Sequence, residues 1–227
     1  MNSVEKEMTI CEAIEARHSV RSYKNMSIPP ELIKELQNEI DCINSEKDLH
    51  IQLLINELEA FIGLRAHYGN FKSVQNYIAI VGKKSDSLDE SLGYYGERLV
   101  LKAQILGLNT CWVGQTYNKN KCHALVAKGE KIPCVIAIGY GETQGVPHKS
   151  KPIETRYKAE NPPEWFIKGM EAVMLAPTAI NQQKFIFELK GDAVSAKATG
   201  KIYANLDLGI AKYHFEVGAG KENFIWE

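Results

Sequence analysis

The sequence has no apolar run approaching the roughly 20 residues that a membrane-crossing helix needs. It also lacks a Cys-x-x-Cys pair, a Gly-x-Gly-x-x-Gly turn, a phosphate-loop signature and a Ser/His/Asp arrangement suited to nucleophilic catalysis. These absences leave a hydrolase or kinase reading without support. An excess of either charge is lacking too: 27 Lys and Arg against 28 Asp and Glu leave a formal net charge of −1, so neither nucleic acid nor an anionic membrane surface is expected as a partner. The five cysteines, Cys11, Cys42, Cys111, Cys122 and Cys134, are odd in number and never in metal-ligand spacing. Free thiols in a reducing cytoplasm are expected, without structural zinc. The opening MNSVEKEMTI is polar and acidic, unlike a secretory leader.

What is present is ordinary globular material, 44% hydrophobic and 24% charged, enough for a sizeable core. Thr9-Ile10-Cys11-Glu12 reads as a capping box opening a short helix that stops near Arg17. Pro29-Pro30-Glu31 opens a second helix, with Leu32, Ile33, Leu36, Ile40 and Ile43 at helical spacing. Leu49 to Ile55, Val74 to Val81, Thr110 to Val113 and Val135 to Ile138 read as strands. Ser87 to Leu106 is the longest helical pattern, ended by Gly107, and a short helix is expected near Asn118 to Ala127. The stretch 139–163 reads as a long surface connection. A helix from Glu164 to Leu175, a strand from Phe185 to Leu189, a polar stretch flanked by glycines, a helix from Leu206 to Val217 and a strand from Phe224 to Trp226 follow. Alternation of this kind predicts an α+β layered fold.

The halves carry a faint repeat. Leu32 to Leu36 matches Phe166 to Met170, and Tyr95-Gly96 matches Leu208-Gly209. A duplication and plain helical periodicity both account for this. A true duplication would let one chain imitate two subunits, with a site where the halves meet.

Four segments carry the chemistry. Arg17-His18-Ser19-Val20-Arg21 offers two guanidinium forks, an imidazole and a hydroxyl, a donor set suited to phosphate; the alternative is a solvated basic turn. Gly107 to Gln115 reads as a glycine-terminated helix running into a buried strand. His148-Lys149-Ser150-Lys151-Pro152 is, on its own, a charged loop. Leu175 to Gln183 is, on its own, a helix end and turn.

Together these segments resemble the FMN-dependent nitroreductase family over most of the chain, from Arg17 to Gln183. Arg17, His18, Ser19 and Arg21 resemble its flavin-phosphate motif. Gly107-Leu108-Asn109-Thr110-Cys111-Trp112-Val113-Gly114 resembles a Gly-Leu-Gly-Thr-Cys-Trp-Ile-Gly segment lying along the flavin ring. The resemblance implies cofactor contacts at Cys111, Trp112, Val113, Gly114 and Gln115. Asn109 stands where glycine is usual. Lys149 and Lys151 resemble basic residues that close over the phosphate. Pro177, Thr178, Ala179, Asn181, Gln182 and Gln183 resemble a Leu-Ala-Pro-Ser-x-x-Asn-x-Gln-Pro segment that reaches the flavin from the partner subunit, with Lys184 in place of the final proline. In ordinary members this segment comes a few dozen residues after the Arg-His-Ser motif. Here it lies near residue 177, a displacement that resembles the subgroup whose single chain carries two half-domains.

The resemblance implies a nitroreductase-like α+β fold with an antiparallel or mixed sheet flanked by helices. It implies a first half over 1–150 and a shorter second half over 151–227, and either a monomeric pseudo-dimer or a homodimer. It further implies FMN as cofactor, NADH or NADPH as reductant, and ping-pong reduction of a small electron-poor molecule such as a nitro compound or quinone. No side chain serves as nucleophile or base in that scheme. Dehalogenation, flavin breakdown and flavin sensing without turnover are the alternatives. Tyr68, Phe71, Tyr117 and Phe185 are candidates for the pocket above the flavin, and Tyr213-His214-Phe215 reads as core.

Overall fold

The computed structural model describes residues 7–227; the residues before Glu7, on which the reading of a polar start partly rests, lie outside them. The chain runs α1 (Ile10–Ala16), α2 (Pro30–Lys47), β1 (Gln52–Leu54), α3 (Leu64–Tyr68), β2 (Asn76–Lys83), α4 (Leu88–Ile105), β3 (Asn109–Val113), β4 (Glu130–Gly139), β5 (Tyr157–Lys158), α5 (Glu164–Val173), β6 (Phe185–Lys190), β7 (Ala193–Ala198), α6 (Ala204–Ala219) and β8 (Ile225–Trp226). Among the described residues two four-stranded sheets form, in the orders β1-β2-β4-β3 and β5-β6-β7-β8. The first is antiparallel throughout. The second is mixed, with β5 parallel to β6 and β8 parallel to β7. Among the described residues no helix is long and apolar enough to cross a membrane.

Period-two alternation explains why β2 and β4 read as continuous apolar runs. Ile78, Ile80, Cys134, Ile136 and Ile138 face a core shared with α2 and α4. Tyr77, Ala79, Val81, Val135 and Ala137 face a second core with Phe61, Phe71 and Tyr117. Both faces of the central strands are therefore covered. The second half has its own core, rich in aromatics: Phe166, Phe185, Phe187, Phe215 and Phe224. Leu206 and Ile210 of α6 enter the first core, so the packing around the two sheets interlocks.

That interlock centres on α4 and α6, both buried around most of their circumference. A methyl group added at Gly93 would lie 2.0 Å from the Leu206 carbonyl oxygen, and one at Gly209 would lie 1.9 Å from the Glu90 carbonyl oxygen. Each glycine thus meets the carbonyl three residues before the other glycine. Backbones this close leave no room for Cβ. The residue opposite Gly209 is Gly93; Gly96, which the repeat aligns with Gly209, makes room for the Trp112 indole, whose Cη2 would be 2.3 Å from an added Cβ.

Two local expectations fail for identifiable reasons. The helix expected near Asn118 to Ala127 is a single 3-10 turn at Lys119–Lys121. The Gln52 side-chain amide donates to the Leu125 carbonyl (2.7 Å) and accepts from the Leu125 N–H (2.8 Å), which holds the backbone out of a helix. The glycine-flanked polar stretch contains β7, because β6 offers it a full antiparallel ladder from Phe185↔Ala198 to Lys190↔Ala193. The capping box at Thr9 and Glu12 forms as expected.

Candidate functional site

The Arg17–Arg21 segment leaves α1 and runs beside β3. Ser19 bridges Thr110 in parallel, and the Val20 N–H donates to the Thr110 carbonyl at 3.0 Å. This docking gathers Arg17, Ser19 and Arg21 around Cys111: burial raises the thiol pKa, opposed by Arg21, by a hydrogen bond with Ser19 and by Arg17. The Cys111 thiol is therefore held neutral. Burial and then the Arg17 charge lower the pKa of half-buried His18, keeping its imidazole neutral.

Arg17 is buried, at 3% exposure, and its side chain makes no hydrogen bond among the described residues. Its Nε lies 3.9 Å from a Glu97 carboxylate oxygen and is a buried donor with no hydrogen-bond partner. Glu97, fully buried in α4, already accepts from Trp112 Nε1 (2.8 Å) and contacts His214 Nε2 (3.0 Å); His214 Nδ1 meets the Ala172 carbonyl at 2.9 Å. Burying a guanidinium with open donors is costly unless an acceptor completes it. Arg21 is exposed and makes no ion pair or side-chain hydrogen bond among the described residues. An anion fits this donor set, and a phosphate fits it well.

Two further segments close on it. An added Cβ at Gly145 would lie 2.8 Å from His18 Cβ, so the 145–151 stretch passes directly over the basic cluster. It is then pinned to the turn after α5. His148 Nε2 and Ser150 Oγ both meet the Met174 carbonyl (3.0 and 2.9 Å), the Lys151 N–H donates to Gln183 Oε1 (2.8 Å), and Asn181 Nδ2 and Gln183 Nε2 donate to the Lys149 carbonyl (2.8 and 3.0 Å). Lys151 Nζ donates to the Gln182 carbonyl at 2.6 Å, whereas exposed Lys149 keeps its ammonium free of such bonds among the described residues.

The turn from Pro177 to Gln183 is strained. Ile180, Asn181 and Gln183 adopt φ of 48°, 54° and 45°, and for a β-branched residue such as Ile180 this is an outlier. Asp207 of α6 holds it, accepting from the Ala179 N–H (3.0 Å) and from Gln182 Nε2 (2.7 Å). Burial raises the Asp207 pKa to about 6, against the lowering effect of those two hydrogen bonds. The side chains of Gln182 and Gln183 are thus engaged within the protein, and Ile180 points to solvent at 97% exposure.

At the far end of β3, Tyr203, itself at φ 56°, covers Gly114: an added Cβ there would lie 2.5 Å from its ring. The structure therefore brings the four sequence segments to one region, with Val113 buried, Gly114 under Tyr203 and Gln115 exposed. Trp112 faces α4 instead of this region. Of the aromatics considered for a pocket, Phe71, Tyr117 and Phe185 are buried in cores, and Tyr68 is 86% exposed. Glu97, Asp207 and Tyr203 escape sequence reasoning. Only Glu97 carries a usable signal, a carboxylate in the buried Gly93, Gly96, Val100 stripe.

A family model described as "Putative TM nitroreductase" matches residues 9–219. No curated protein matches the sequence. Among solved structures, a Thermotoga maritima protein described as a putative nitroreductase superposes with TM-score 0.73 at 23% identity, covering 98% of this chain and 88% of its own. A nitroreductase family protein from Streptococcus pneumoniae gives 0.53 at 13% identity, covering 67% of this chain and 100% of its own. A putative nitroreductase from Desulfovibrio desulfuricans, solved in complex with FMN, gives 0.53 at 16% identity, covering 67% and 98%. At these identities the structural matches establish the fold, which is nitroreductase-like α+β, and the family model establishes the membership: this chain belongs to the nitroreductase family described as "Putative TM nitroreductase".

Proposed function

We propose that the protein is an FMN-dependent oxidoreductase that uses NADH or NADPH to reduce small electron-poor acceptors such as nitro compounds or quinones. The observation that carries this reading is the buried Arg17 guanidinium, with an unpartnered Nε, beside the uncommitted Arg21 in a chain of this family. When bound, FMN supplies the two-electron chemistry, in a ping-pong cycle with one pocket serving reductant and acceptor in turn. Arg17, Arg21, Ser19 and His18 would hold its phosphate, with Lys149 at the rim. Backbone donors from Cys111 through Gln115 would face the ring edge. The turn from Pro177 through Gln183, with Thr178, Ala179 and Asn181, would wall the site from the second half, held by Asp207 and the Lys151 segment.

On this reading the chain is a duplication, 1–150 and 151–227, acting in the cytoplasm as a monomeric pseudo-dimer, with a homodimer as the alternative. Two observations support this: the reciprocal Gly93 and Gly209 crossing, and ordinary family structures that match fully while covering 67% of this chain. A second reading, flavin binding without turnover, is favoured by Tyr203 lying over Gly114.

The test is FMN titration of the purified protein, followed by stopped-flow reduction. A flavin absorption band near ~450 nm that bleaches with NADH or NADPH is expected, and Arg17→Ala should weaken FMN binding by about tenfold or more, the worth of one charge-assisted hydrogen bond. A protein that stays colourless with added FMN refutes the flavin assignment. Tight FMN binding without bleaching selects the second reading. One FMN per chain on a sedimenting monomer supports the pseudo-dimer, and an obligate dimer overturns it.

A further inference from the structure

Beyond Gln115 the surface opens into a cleft of about 620 Å³, lined by Leu64, Arg65 and Tyr68 of α3 together with Gln115, Thr116 and Lys119. A volume of this order suits a small-molecule ligand. Its walls are built, not loose. Gly69, which ends α3, approaches Thr116 so closely that an added Cβ would lie 2.6 Å from Thr116 Cβ. The Asn118 N–H donates to the Ala60 carbonyl at 2.8 Å, and the rings of Phe61 and Tyr117 stack at 6.5 Å behind the cleft.

The lining has an unusual composition for a solvent-facing turn. Leu64 and Tyr68, four residues apart on one helix face, are 88% and 86% exposed, and Ile62 beside them is 59% exposed. Leaving such a cluster in water forfeits burial that a bound apolar surface would recover. Arg65 and Lys119 border the same cleft, and neither makes an ion pair or side-chain hydrogen bond among the described residues. Neighbouring basic side chains are engaged, Lys121 with Glu59 at 3.6 Å and His123 with Glu57. Among the described residues no carboxylate lines the cleft.

We infer that this cleft is the acceptor subsite and that it selects planar aromatic molecules carrying a carboxylate or a comparable anionic group. The ring would lie against Leu64 and Tyr68, and the anion would meet Arg65 and Lys119. The assignment to the acceptor rests on the oxidoreductase reading above; the binding preference does not.

The test pairs 4-nitrobenzoate with its neutral methyl ester. Calorimetric titration of the purified protein, with and without FMN, should find the acid bound at least about tenfold more tightly than the ester. In the Arg65→Gln/Lys119→Gln double variant, both sites being exposed, that preference should disappear while FMN titration is unchanged. With FMN and nicotinamide supplied, the acid-to-ester ratio of kcat/KM should fall by the same factor, through KM. Equal binding of acid and ester by the unaltered protein overturns the inference, as does a preference that survives in the double variant. A rise in KM for the nicotinamide instead, with the acid-to-ester ratio intact, also overturns it, because the cations would then serve the dinucleotide phosphates. If calorimetry yields the preference but no flavin binds, the cleft assignment as an anionic aromatic site stands and the flavin reading falls.

Discussion

Replacing Gly93 with alanine puts a methyl carbon 2.0 Å from the Leu206 carbonyl oxygen and 3.1 Å from the Ile210 nitrogen. Both are backbone atoms of a buried helix, so no side chain can swing aside. Relief requires α4 and α6 to separate by more than ~1 Å at the crossing, and a gap of that size forfeits a quarter to a half of each affected dispersion contact. A buried Leu makes about 50 contacts worth roughly 0.15 kcal/mol each, so losing a quarter of one residue's contacts costs about 2 kcal/mol. Leu92, Leu206 and Ile210, all buried in the same core, share the loss. Alanine recovers about 1 kcal/mol of helix propensity. The net expectation is destabilisation by about 2–4 kcal/mol, which for a chain of this size lowers Tm by roughly 5–15 °C. Gly209→Ala should cost a similar amount, because it meets the Glu90 carbonyl in the reciprocal position. The double variant should cost clearly less than the two singles together, since the first methyl already spreads the helices. Urea denaturation of all four proteins measures this. A Gly93→Ala protein as stable as the parent would refute the close crossing, and strictly additive costs would refute the reciprocity.

Other outcomes follow from the buried polar groups. Glu97→Ala leaves Arg17 and His214 without their shared carboxylate and should cost roughly 3–5 kcal/mol in urea midpoint, while Glu97→Gln, which keeps an acceptor for Trp112, should cost less. Asp207 has a folded pKa raised to about 6 from 3.8. Its contribution to stability is therefore full below pH ~4 and is lost as pH rises through ~6, a change of about 3 kcal/mol at most. Urea midpoints from pH 4 to 7 should show that downward slope in the parent and lack it in Asp207→Asn, whose amide oxygen still accepts from Ala179; identical slopes contradict the assignment. In native protein, Cys11 and Cys42 are exposed while Cys111 and Cys134 are buried. Thiol labelling should accordingly modify Cys11 first. Cys42 should follow more slowly, its pKa raised by its hydrogen bond to Glu46, and Cys111 and Cys134 should react only in denaturant. Fast labelling of Cys134 would contradict the core.

Much of the fold was legible because its signals are local. The capping box at Thr9, the glycine ending α4, and the two-sided apolar runs of β2 and β4 are each encoded by residues within a few positions of one another. The elements that escape a local reading depend on remote partners. β7 is a strand because β6 lies beside it, and residues 122–127 stay out of a helix because Gln52, far away in sequence, supplies the hydrogen bonds that a helix would have made internally. The candidate site divides in the same way. Arg17 to Arg21 announces itself by composition, and the Pro177 turn by its motif.

Which of those residues meet, and in what state, follows from packing alone. From the order of residues one could tell that Arg17, Ser19 and Arg21 are a donor set for an anion, because side-chain chemistry does not depend on position. Only the fold buries Arg17 against an already engaged Glu97, lifts the Asp207 pKa by burial, lays Tyr203 over Gly114, and leaves Arg65 and Lys119 uncommitted beside an exposed apolar face. Burial, pairing and desolvation are properties of neighbours brought together across dozens of residues, and those neighbours exist only once α4 and α6 have closed on each other.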